Sequence, residues 1–592
     1  MIMKKSFFRW VSLCAFFGHL FFLANGEALA DVRRVPSQHP TIQQAIDASV
    51  NGDTVLVAPG TYIENIDFKG KAITVASEAG PQTTIIDGNQ DGSVVKFVSG
   101  EGRSSILSGF TLQNGFGFGD HGGGGVQMNN SSPKIINNII TNNGACEGPG
   151  VFISSGSPLI QSNLITGNTQ QGCSGGLGGG GIFIGNLSRA EIIDNTISFN
   201  FMGASGGGVK VEAASPKILR NTITNNVALG GGGISTSGIP SSVLIEGNAI
   251  THNSGSAGAG GGGIEVAGFS AVEIINNLIS NNTASSNHFG GGISVAGARS
   301  ALIRGNVIRE NEASSGGGIY LDGQETGTRV LVQNLIVKNH GWGAGGGISV
   351  NSTFTMVSNT IADNDSPVGS AIAGNHYPGS KMINNIVVAR AGQTSFSCGV
   401  ILAPPALINN NFFSPGGNVF QDCDFLLPAG NISADPLFVN PAMGDYHLQP
   451  NSPSMDAGDN NAPSLPAADI DGNARILDGN ADGLAVIDQG VDEVVPPFDL
   501  CIQDESNGNI LQINSATGDY HFFNCSGFIA SGKGILIKKG NTLTLQHNAA
   551  DRRVTVRIDS SSKRATASIQ LFSQGSFSIF DRNISNNSCG CR

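Results

Sequence analysis

The chain has 592 residues and a formal net charge of -12, from 32 basic and 44 acidic side chains. Its 85 glycines are about twice the usual share, and its 13% of charged residues is about half. Low charge excludes a solvated disordered chain, the glycines lack the three-residue period of collagen, and the acidic balance speaks against a nucleic-acid partner.

Residues 1–30 read as a signal peptide. Lys4, Lys5 and Arg9 make a basic start, Phe7 to Leu23 is largely apolar, and Ala28-Leu29-Ala30 is a cleavage pattern. The expectation is an exported protein, secreted or at the cell surface. No later apolar stretch is long enough for a transmembrane span. Cys14 leaves with the signal, and the eight remaining cysteines suit disulfides in an oxidising compartment.

A repeat then governs the chain. The frame around Asn138 (Ile135-Ile136-Asn137-Asn138-Ile139-Ile140) recurs at Asn163, Asn195, Asn221, Asn248, Asn277, Asn306, Asn334, Asn359, Asn385 and Asn410, in steps of 25 to 32 residues. An apolar residue follows each by two positions, and a second Asn follows by five in nine rungs, from Asn143 to Asn364. Glycine runs ending in Ile or Val precede most anchors, as at Gly206 to Val209. Gly109 fits an earlier, divergent rung. Each repeat holds only short alternating runs, with no room for a helix. Such a turn cannot bury its own apolar side, whereas turns stacked about 4.8 Å apart bury a continuous column. Asn tolerates left-handed backbone, and its amide can bond the Asn of the next rung. The repeated Asn is therefore a ladder and the repeated Gly a tight corner, neither one a catalytic motif.

These features resemble the right-handed parallel β-helix proteins of the pectate-lyase-like fold, over residues 31–435. The resemblance implies an all-β solenoid of about 12 or more rungs. Pro40 to Ala48 reads as an amphipathic helix with Ile42, Ala45 and Ile46 on one face, which by resemblance caps the N-terminal end. Residues 436–497 form an acidic closing segment and linker. Its Asp435-Pro436-Leu437-Phe438, Gly444-Asp445-Tyr446-His447-Leu448 and Asp469-Ile470-Asp471-Gly472-Asn473 resemble the ends of exported bacterial β-helix proteins whose attachment modules vary. Residues 498–592 read as a small separate β module.

The fold hosts lyases, hydrolases, esterases, tailspikes and adhesins, so it does not choose a function. The chain has no adjacent Asp-Asp pair, and basic residues in the rungs are sparse. Loops after the second Asn should emerge on one edge and carry His288 with Phe289, Glu312, His340, Trp342, Asp365, His376 and Tyr377. Aromatic rings stack on sugars, and His or carboxylates serve as acid and base. The expectation is a surface that binds a polysaccharide or cell-envelope glycan without strong catalysis. The alternatives are a lyase or hydrolase of acidic glycans and a structural stalk or adhesin. Asp478, Asn480 and Asp482 with Gly483 match the first half of a calcium loop. Its position twelve holds Gln489, so Asp488, one residue early, is the candidate fourth metal ligand, and Asp469, Asp471 and Asn473 just upstream offer further oxygens to a calcium ion.

The repeat also suggests disulfides. Cys398 and Cys423 lie at equal offsets, 13 residues after Asn385 and Asn410, which stacks them within bonding range. Cys146 and Cys173 fall in loops of neighbouring rungs. In the last module, Cys501 and Cys525 either pair together or each take one of Cys589 and Cys591.

Overall fold

The computed structural model describes residues 30–495 and the strands between 500 and 585; excepted are 118–121, 174–175, 240–241, 257–259, 269, 286, 324–326, 377, 402–403, 425, 478, 481–483 and the loops of the last module. A parallel solenoid occupies most of it. Every rung contributes one strand to each of three long parallel sheets, of 15, 14 and 14 strands. In one rung these are Lys134–Ile136, Ile139–Thr141 and Val151–Ser154. Register is held residue for residue: Ile135 sits over Ile160, Ile140 over Ile165, and Ile153 over Ile184. These inward residues are fully buried and form a single core along the coil.

The first corner of each rung carries the Asn ladder. Asn248 is representative. Its backbone N–H and its Nδ2 both donate to Oδ1 of Asn277, at 2.8 and 3.0 Å, while Nδ2 also donates to the Ile218 carbonyl of the preceding rung. The same pattern links Asn138 through Asn410, and Asn410 donates to Asn431, one rung beyond the last anchor read from the sequence. A second ladder runs from Asn143 to Asn364.

The left-handed backbone lies one residue earlier than the sequence suggested. Asn137, Ser162, Asp194, Arg220 and Gln333 have φ between 53 and 57°, and the ladder Asn that follows each is not left-handed. Left-handed geometry costs a non-Gly residue about 1–2 kcal/mol, yet these positions accept almost any side chain. The ladder Asn is therefore selected for its amide, not for its φ. The Gly109 rung shows the same division: Gly109 is the left-handed residue, and Phe110 stands in the ladder slot with its N–H on Asn138 Oδ1.

Glycine runs turn the chain into the third sheet. Gly206 has φ +74°, and a Cβ on Gly208 would lie 2.6 Å from the Gly233 carbonyl oxygen, so neither tolerates a side chain. At the N-terminal end, helix α1 (Ile42–Ala48) buries Ile42, Ala45 and Ile46 as expected. Thr41 caps it, and Glu64 accepts the N–H groups of Ile42 and Gln43.

Both rung disulfides form. Cys146–Cys173 and Cys398–Cys423 have Cα separations of 5.7 and 5.1 Å. The strand register near the second is offset by one from the equal spacing in sequence, because Phe396 pairs with Phe420. Among the described residues, strands between Leu500 and Ser585 build a nine-stranded antiparallel sheet in which the first strand pairs with the last, Cys501 opposite Ser585. Cys525, Cys589 and Cys591 lie outside the described residues.

Removing one ladder amide strands several buried partners, each worth about 1–3 kcal/mol. Asn253→Ala leaves Asn226 without its acceptor and should cost about 3 kcal/mol. Asn276→Gly, at a left-handed corner with φ 54°, should stay within about 1 kcal/mol of the parent. Chemical denaturation measures both, and equal losses would refute the division of roles.

Candidate functional site

The second corner and the short strand after it bring side chains from successive rungs into columns. Thr283, Glu312 and His340 pair in register, and His340 bridges to Asp365. Each stands immediately after a second-ladder Asn, so three of the sequence-predicted residues share one column. Trp342 joins them: its Nε1 donates to Glu312 Oε1 at 2.7 Å, and its ring meets His340 edge-on at 4.3 Å. Trp342 remains 59% exposed.

Asp365 is the hub. One oxygen accepts from Gln393 Nε2 at 2.7 Å. The other faces His340 Nδ1 and Arg390 Nη1, both at 3.1 Å. Burial raises this carboxyl, but the Gln393 hydrogen bond and the charges of Arg390 and His340 outweigh it and hold it below the usual range. A cleft of about 480 Å³ opens here, lined by Lys338, His340, Asp363, Asp365, Arg390 and the Pro441–Ala442 turn. His340 Nε2 is buried with no hydrogen-bond partner among the described residues.

Other expected residues lie elsewhere. His288 sits at the far end of the same loops, where its carbonyl accepts Ser314 N–H and neighbouring Phe289 stacks on Tyr320 at 4.5 Å. His376 ends the third-sheet strand Ile372–His376, several residues past the corner that holds Asp365. Tyr377 lies outside the described residues.

Lys338, Asp363 and Arg390 were missed, though the repeat marks all three. Lys338 and Asp363 are left-handed corner residues with φ of 56 and 54°. Arg390 stands five residues after Asn385, where the second ladder would continue with Asn. The break in the repeat is the signal.

The closing segment folds back over the flank of the last rungs and supplies one wall of the cleft. Tyr446 and Leu448 pack on Val337, Ala362 and Ile386. Tyr446 Oη donates to Asp363 at 2.8 Å, and Lys338 Nζ donates to the Ala442 carbonyl at 3.2 Å. Of the calcium-loop residues, Asp478 and Asp482 lie outside the described residues. Asn480 donates its backbone N–H to Asp456 at 2.8 Å. Asp488 is buried and accepts the N–H groups of Asp456 and Val494, so it braces the segment. Nearby, Arg475 and Glu493 pair at 3.1 Å, both 1% exposed at the side chain. His447 lies between Asp445 and Asp471, and the hydrogen bond to Asp471 pushes it up to about 10 against desolvation.

Residues 180–413 match the family model described as a right handed beta helix region. No curated protein matches the chain. Among solved structures, that of a PL6 family alginate lyase, AlyGC, is 12% identical and covers 66% of this chain and 77% of that one, with a TM-score of 0.21. A score that low bears on neither chemistry nor substrate.

Burial raises Asp488 and Asp492 to about 7, despite the backbone N–H groups that each accepts. A carboxyl raised on folding stabilises below its unfolded value near 3.8 and loses that contribution as pH climbs through about 7. His447 acts in the same sense, contributing below about 6.5 and losing it through about 10. Amides of Leu448 and Val494, which donate to Asp492 and Asp488, should open more readily at pH 8 than at pH 5. Hydrogen exchange corrected for its intrinsic pH dependence measures this, and tighter closure at pH 8 would contradict it. The family match and the three stacked parallel sheets identify the solenoid as a right-handed parallel β-helix.

Proposed function

We propose that the protein is exported and binds an acidic polysaccharide along the loop edge of its β-helix. The observation that carries this reading is the cleft in which Arg390 and His340 pair with Asp365 and Lys338 lines the wall, beside the exposed ring of Trp342. Guanidinium and ammonium groups recognise a uronate carboxylate. An exposed indole offers a sugar ring a flat apolar face. Asp365 fixes the orientation of Arg390 and His340, so the cationic groups are set before ligand arrives.

Titration with hexameric oligogalacturonate tests this. Arg390→Ala and Trp342→Ala should each weaken binding about tenfold, or about 1.4 kcal/mol, with little change in melting temperature, because both side chains are largely exposed. Unchanged affinity in both variants would overturn the reading.

A second reading, β-elimination, is favoured by His340, which lines the cleft and whose buried Nε2 has no partner among the described residues. Arg390 would neutralise the carboxylate while Nε2, exposed by rotation of the His340 side chain, takes the α-proton; a carbon–carbon double bond forms as the C–O bond breaks, and the departing glycosidic oxygen takes a proton from water. Absence of an ultraviolet-absorbing unsaturated product from the oligouronate would sink it.

For calcium, we infer a site in the closing segment at Asp478, Asn480, Asp482 and Asp488. Ligand at 100 times its dissociation constant adds about 2.7 kcal/mol. Melting temperature should rise with millimolar calcium and fall with chelator, and no shift would remove the metal from the account.

A further inference from the structure

Strand Asp445–Leu448 of the closing segment alternates in burial. Tyr446 and Leu448 pack on the solenoid, so Asp445 and His447 face away from it. On that outward side His447 meets two other stretches of the segment. Its Nε2 lies 2.6 Å from Asp471 Oδ2, and ligand atoms of His447, Asp471 and Asp492 all fall within 4.8 Å of one another.

The backbone around these atoms is fixed. Asp469 accepts the N–H groups of Asp471 and Asn473 on one oxygen and that of Glu493 on the other. Ile470 N–H donates to the Val491 carbonyl, which ties the two carboxylate-bearing stretches side by side. The imidazole is oriented as well. Asp445 Oδ1 sits 2.5 Å from His447 Nδ1. A carboxylate there holds the proton on Nδ1 and turns the Nε2 lone pair toward Asp471 and Asp492, which is how metal-binding histidines are commonly set.

Asp492 points to a ligand independently. It is 5% exposed, Leu448 N–H occupies its Oδ2 at 2.9 Å, and its other oxygen has no hydrogen bond among the described residues. Arg475 does not neutralise it, because that guanidinium donates to the Asp492 backbone carbonyl and pairs with Glu493. A buried carboxylate is ordinarily paired or bound to a metal. Here three carboxylates share one imidazole, so the set favours a cation. Nitrogen beside oxygen donors selects a transition-metal ion over calcium, which takes oxygen alone.

We propose that His447 Nε2, Asp471 and Asp492 bind a zinc ion, with Asp445 orienting the imidazole. A tetrahedral ion with bonds of about 2.1 Å holds its donors about 3.4 Å apart, so a small rotation of the exposed Asp471 side chain admits it. The ion fastens strand Asp445–Leu448 to the Asp471 turn, a few residues from the Pro441–Ala442 wall of the cleft. The site rests on neither the uronate reading nor the calcium loop.

Calorimetric titration of the chelator-treated full chain with zinc, and separately with calcium, tests the proposal. Zinc should bind at one tight site per chain and raise the melting temperature, and millimolar calcium should not displace it. His447→Gln and Asp471→Asn should each weaken zinc at least about a hundredfold, whereas Asp482→Asn, in the calcium loop, should leave it intact. The His447 and Asp471 side chains are about half exposed, so both variants should keep the fold, and either one carries the test if the other does not. Failure of zinc to bind the parent chain, or affinity unchanged in both variants, would overturn the site. Loss of zinc in Asp482→Asn would place the ion in the calcium loop and overturn it equally.

Discussion

The structure depends on one repeated interaction, the buried amide ladder. Each ladder Asn uses its Oδ1 to accept two N–H groups of the rung before it and its Nδ2 to reach a carbonyl further back. A buried amide left unpaired is costly, so a slip of one residue in any rung is penalised at two corners at once. The apolar column alone does not supply this specificity. Stacked isoleucines accept neighbouring registers with modest loss, whereas the amide bonds form in one register only.

Rigidity at the ladder frees the positions beside it. The residue before each ladder Asn is left-handed, and types as different as Arg220, Phe199, Lys338 and Asp363 occupy it; most reach solvent, while Gln333, Ser358 and Asn384 near the C-terminal end are buried. The residue after the second Asn begins a column that reads Thr283, Glu312, His340, Asp365. Side chains of the proposed site thus stand on a frame whose spacing they do not have to maintain. Strain at these corners is sustained by bonds made elsewhere.

Much of this was readable in the chain. Periodic Asn, the apolar residue two positions later and the glycine runs together fix the coil, because each has a single physical use when repeated. The column from Glu312 to Asp365 followed from the same period. Arg390 was harder, since it appears only as a missing Asn, and an absence is noticed after the ladder is understood. The closing segment was hardest. Its contacts with Val337 and Asp363 span about a hundred residues, and no local pattern announces that Pro441 and Ala442 will wall the cleft. His376 was misjudged because the third-sheet strand carries it away from the corner, and chain proximity gives no sense of that turn.

The most direct test compares two breaks in the second ladder. Asn339 precedes His340 and bonds Asn364, whereas Asn226 lies four rungs away and bonds Asn253. If the ladder positions the cleft, Asn339→Ala and Asn226→Ala should lower the melting temperature comparably, while only Asn339→Ala weakens oligouronate binding in the folded protein. Equal loss of binding in both variants, or none in either, would contradict the account.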